Sequence, residues 1–149
     1  MEIKVMSTID LTNFKEICDS VRDSIPSPYT VSWDEDFQVI RIVFGKKEDK
    51  PLLRTLVNKF PHQWDFTTID NATEFIDRFI SSIFGIIPGQ ILFASGETTD
   101  PMLFAVWWPW GDEDYISLRI GIYDPRNDNL LSKDKIRNHL SEWFNIKKT

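Results

Sequence analysis

Tyr115-Ile116-Ser117-Leu118-Arg119-Ile120-Gly121-Ile122-Tyr123 is the stretch that decides the fold. Side chains of a strand alternate between its two sides. Ile116, Leu118, Ile120 and Ile122 therefore point one way, and Tyr115, Ser117, Arg119, Gly121 and Tyr123 the other. Strict alternation of this kind marks an antiparallel sheet with one face on the core and one wetter face. Working back toward the N-terminus, Met102 to Trp108 and Gln90 to Ala94 read as two more strands. The turn-rich segments Pro109 to Asp114 and Gly96 to Pro101 separate the three. An earlier pair, Tyr29 to Trp33 and Phe37 to Phe44, flanks Asp34-Glu35-Asp36 as a hairpin. His62 to Ile69 is ambiguous, with a short strand through Trp64 and Phe66 as one reading.

The remaining apolar periodicity is helical. Leu11, Phe14, Ile17, Cys18 and Val21 predict a helix over about residues 11 to 24, capped by Asp10 and ended by Pro26 and Pro28. Pro51 suits the first turn of a second helix running through Leu52, Leu53, Leu56, Val57 and Phe60. Asn71 with Glu74 resembles a capping box, and the broad apolar side from Ala72 to Phe84 predicts the main helix packed on the sheet, with Gly85 as its stop. Ser132 is placed to cap a last helix through Ile136, Leu140, Trp143 and Phe144. Strands with helices set before, between and after them predict an α+β fold. The expectation is a mainly antiparallel sheet of about five strands with three to four helices, in a single domain over residues 1–149.

Composition narrows the classes. Six Trp, eleven Phe and three Tyr supply enough buried area for a core and argue against disorder. A net charge of −6 repels phosphate backbones, so no nucleic-acid partner is expected. Cys18 is the single cysteine, and no internal disulfide can form. The residues Met1 to Met6 show no signal-peptide pattern, and no apolar run approaches the ~20 residues that span a bilayer. A soluble cytoplasmic protein with no membrane partner is expected.

Chemical motifs are scarce. The six glycines are scattered singly and form neither a dinucleotide fingerprint nor a phosphate loop. His62 and His139 have no ligand at metal-site spacing, and the acidic stretch Asp124 to Lys135 places Arg126, Asn129 and Lys135 where a calcium loop needs other residues. Ser95-Gly96 lacks a nucleophile elbow. No cofactor, metal or catalytic residue is expected, and the balance leans away from an enzyme.

What stands out is Trp107-Trp108-Pro109-Trp110-Gly111-Asp112-Glu113-Asp114-Tyr115. Alternation sends Trp107 and Trp108 to opposite faces, whereas Trp110 stands in a turn. Trp, Tyr and Arg dominate binding hot spots, because rings bury area at low entropic cost. Trp110, Asp112, Glu113, Asp114, Tyr115, Arg119 and Tyr123 are therefore the candidate partner-binding residues. The competing reading is that a terminal helix covers this sheet face. In general character the chain resembles the small, acidic, cytoplasmic immunity proteins of bacterial toxin systems, with no motif carrying the likeness. That character implies a basic protein partner such as a nuclease-like toxin. The alternatives are a small-ligand protein or hydrolase with a pocket of Trp and carboxylates, or a homodimeric assembly subunit; the chain itself is expected as a monomer or homodimer.

Overall fold

A computed structural model describes residues 2–83, 86–96, 101–109, 114–124 and 132–146. Their elements run α1 (Glu2–Ser24), β1 (Tyr29–Asp34), β2 (Val39–Gly45), α2 (Lys50–Lys59), β3 (His62–Asp65), α3 (Glu74–Ile83), β4 (Ile91–Ala94), β5 (Met102–Pro109), β6 (Tyr115–Tyr123) and α4 (Lys133–Trp143). The strands form one antiparallel sheet in the order β1-β2-β6-β5-β4-β3. This is the α+β architecture expected, with six strands instead of about five because the ambiguous segment at His62 pairs with β4.

The sheet's first face carries the larger part of the core. Ile116, Leu118, Ile120 and Ile122 of β6 lie there with Ile40, Ile42 and Phe44 of β2 and Leu103, Ala105 and Trp107 of β5. Three helices close over them, through Phe14, Ile17 and Val21 of α1, Leu52 and Leu56 of α2, and Ile136, Leu140 and Trp143 of α4. Cys18 belongs to the same cluster and is fully buried. Burial, and to a lesser degree the neighbouring Asp19 carboxylate, push its thiol far above the usual cysteine range, so it is a poor nucleophile. Arg22 ties two of the helices together by donating from Nη1 to the Trp143 carbonyl at 2.9 Å.

The second face is covered differently. Ile76 and Phe79 of α3 pack on Trp64, Leu92, Ala94, Met102, Phe104, Val106 and Val39. The Phe79 ring lies 4.7 Å from Phe104, edge on, and 4.7 Å from Tyr123. Gly121 makes this contact possible. A Cβ there would stand 2.6 Å from Phe104 Cζ and 2.8 Å from Val39 Cγ1, closer than real Cβ atoms approach.

Several local expectations are corrected. The first helix begins at Glu2, so Asp10 stands inside it and is no cap; nothing in Glu2 to Ile9 breaks a helix. Asn71 ends a short 3-10 turn, Ile69–Asn71, and the cap of α3 is Thr73, whose Oγ1 accepts from the Ile76 amide at 3.3 Å. Among the described residues, α1, α2 and α4 cover the larger cluster and α3 the smaller one. Phe37 belongs to the hairpin turn, not to β2, with Gln38 at φ 58° closing it. Glu74 and Arg78, four residues apart on α3, form an ion pair, and the Ser132 hydroxyl accepts from the Lys135 amide at 3.3 Å, as a cap does. Gly85 lies outside the described residues.

Candidate functional site

The register of β6 fixes where the candidate residues stand. On the second face its neighbours are Gly45, Val43 and Arg41 of β2, opposite Tyr115, Ser117 and Arg119, and on the other side Trp108, Val106, Phe104 and Met102 of β5. Tyr115, Arg119 and Tyr123 therefore share one side of one strand, spread over ~27 Å at about 3.4 Å per residue. Their surroundings divide them into three.

Tyr123 is half-buried beneath α3, in contact with Phe79. It belongs to the second cluster, so its ring contributes to the packing of that helix. Trp108, expected on the face opposite Trp107, is there: Trp107 is buried in the first cluster and Trp108 is half-buried against the second. The terminal helix α4 packs on the first face, so it is α3 that covers the Tyr123 end.

Arg119 stands in the middle. Its guanidinium lies 4.2 Å above the Trp108 ring and 5.9 Å from that of Phe37. Nη1 is 3.8 Å from Asp34 Oδ2, and Nε donates to Ser117 Oγ at 3.4 Å. Burial and the Arg41 guanidinium opposite lower its pKa, while Asp34 works the other way. Arginine nevertheless stays charged at neutral pH. The sequence pattern identified Arg119 as outward-facing but could not reveal the ring beneath it, because that contact depends on strand register. Asp34 is held by its own turn, its Oδ1 accepting from the amides of Asp36 at 3.0 Å and Phe37 at 3.2 Å.

Tyr115 marks the third zone, at the far end of the strand. Its ring is 48% exposed, and Asp114 beside it is exposed as well. The Asp114 carbonyl accepts from the Lys46 amide at 3.0 Å, which joins the start of β6 to the end of β2. The two residues line a cleft of about 580 Å³ with Pro26, Ser27, Pro28, Gly45, Lys46 and Lys47. Sequence reading did not find this cleft. Its signal was present in the hairpin, whose two outer ends carry Pro26 to Pro28 and Gly45 to Lys47, but only strand order brings Tyr115 to them. Trp110, Asp112 and Glu113 lie outside the described residues.

No group of three or more metal-ligating side chains occurs among the described residues. His62 stacks on Trp64 at 5.9 Å and His139 on Trp143 at 5.5 Å, so both imidazoles serve ring contacts. Among the described residues no helix is long and apolar enough to cross a membrane. No protein-family model, curated protein or solved structure matches this chain.

Proposed function

We propose that the protein is a binding module for a cationic protein, engaged through the Tyr115 end of the second sheet face. The observation that carries this reading is an exposed aromatic ring, Tyr115, set directly beside the exposed carboxylate of Asp114 on a chain of net charge −6. An aromatic anchor with carboxylates around it is the pattern that gives affinity and fast, salt-sensitive association with a basic surface. Asp112 and Glu113 precede that pair in sequence, and Trp110 stands two residues before Asp112. Arg119, stacked on Trp108, would bound the surface on its inner side, and Tyr123 contributes through the packing that holds α3. Inhibition of a nuclease-like toxin, in the manner of an immunity protein, is the most specific form of the proposal.

The test is affinity capture at low salt with three baits: the native chain, Trp110→Ala, and the triple variant Asp112→Asn, Glu113→Gln, Asp114→Asn. The expected result is a basic protein retained by the native bait and released by moderate salt, since exposed charges are screened over about 8 Å at physiological ionic strength. Trp110→Ala should weaken binding by about 2 kcal/mol, and the triple variant should slow association without altering the fold. A specific partner held equally by all three baits would move the site elsewhere.

A further inference from the structure

The cleft at the Tyr115 end has a chemistry of its own. Its volume of about 580 Å³ falls inside the range of small-molecule sites, about 300–1,000 Å³. Pro26, Pro28 and Tyr115 give it apolar ring surface. The bond from the Lys46 amide to the Asp114 carbonyl fixes the spacing between the ends of β2 and β6, which place Gly45, Lys46 and Lys47 next to Tyr115. Gly45 lines the cleft as well, in ordinary extended geometry at φ −74° and ψ 143°. A Cβ built on Gly45 meets no atom within 4 Å, so neither backbone strain nor crowding excludes a side chain there. The missing side chain leaves that part of the cleft open.

Charge then selects among ligands. Among the described lining residues Lys46 and Lys47 are cations and Asp114 is the one carboxylate. Both lysines are exposed, so their stems add apolar wall while the ammonium groups reach the rim. Among the described lining residues the cations thus outnumber the carboxylate, over proline and tyrosine side chains, in a chain of net charge −6. The geometry points to a binding site for a small amphipathic anion, an aromatic or apolar body bearing one carboxylate or phosphate. The body lies against the prolines, Tyr115 and Gly45, and the anionic group meets Lys46 and Lys47. This inference shares Tyr115 and Asp114 with the protein-binding surface but does not rest on that reading. It concerns a small molecule, and the residues that test it are outside the partner strip.

The experiment uses the full chain and two fluorescent probes of nearly the same shape, the anion 1-anilinonaphthalene-8-sulfonate and its uncharged counterpart N-phenyl-1-naphthylamine. The expected result is saturable binding of both at one site, tighter for the sulfonate. Lys46→Met with Lys47→Met, which keep apolar stems and remove only the charges, should weaken the sulfonate roughly fivefold and leave the neutral probe unchanged, as expected for two exposed charge contacts. Gly45→Leu should block both probes, with circular dichroism and melting temperature confirming the native fold; Gly45→Val serves the same purpose if leucine disturbs it. Displacement of the sulfonate by 3-phenylpropionate identifies a carboxylate site, and displacement by phenyl phosphate alone a phosphate site. Binding that survives both the lysine and the Gly45 variants, no saturable binding, or displacement by neither competitor would overturn the proposal.

Discussion

The two faces of the sheet are built from the same strands by opposite rules. On the first, every inward position of β2, β5 and β6 is an apolar side chain, and three helices close over them. On the second, the apolar residues beneath α3 give way along β6 to half-buried Arg119 and buried Ser117, and the strip ends at exposed Tyr115. The difference shows how a small α+β protein divides labour. One face supplies stability, and the other is part core and part surface, with the boundary drawn along β6 between Gly121 and Arg119. At that boundary Arg119 rests on Trp108, so a charged residue covers a ring instead of leaving it to solvent.

The comparison breaks most decisively at Phe79. If α3 makes its end of the second face a true core, Phe79→Ala costs about 3–5 kcal/mol, as truncation of a buried Phe does. Chemical denaturation measures it, and a loss below about 1 kcal/mol would mean that α3 rests loosely on the sheet. Gly121→Ala sharpens the boundary. The added methyl group must displace both Phe104 and Val39, and overpacking of this kind costs about 1–3 kcal/mol. A neutral result in thermal unfolding would show that the Phe104–Phe79 contact can shift without loss. At the far end the expected effect nearly vanishes. Tyr115→Ser should change stability by no more than about 0.5 kcal/mol, because a half-exposed ring away from both clusters carries little of the fold. A loss comparable to that at Phe79 would extend the core to the whole second face and remove the exposed anchor from the functional reading.

Much of this was legible in the sequence, and for definite reasons. The alternation in Tyr115 to Tyr123 gave the strand its residues and both its faces, because period-two patterning depends on local geometry alone. Pro26, Pro51 and Ser132 act through their own backbone or side chain, so the end of α1 and the starts of α2 and α4 could be read. Thr73 and Asn71 were not separable, since either side chain can cap a helix and only the path of the preceding turn decides. The candidate site failed to emerge whole for a related reason. Tyr115, Arg119 and Tyr123 look equivalent along one strand, and they differ only in what other elements bring to them: the cleft, Trp108 and Phe79.

The seam between β2 and β6 carries a further consequence, for the order in which the chain folds. Ile40 pairs with Ile120, so more than half of the 149 residues separate the two partners. By contrast, β1 with β2 and β5 with β6 are consecutive hairpins that close over short loops. Entropy favours the short closures first, and joining the two hairpins must await the ordering of what lies between. Until that seam zips, β2 and β6 each present an open edge rich in isoleucine, the kind of surface through which partly folded chains associate. The same juncture that unites the two halves of the sheet is thus where a nascent chain is most exposed to aggregation.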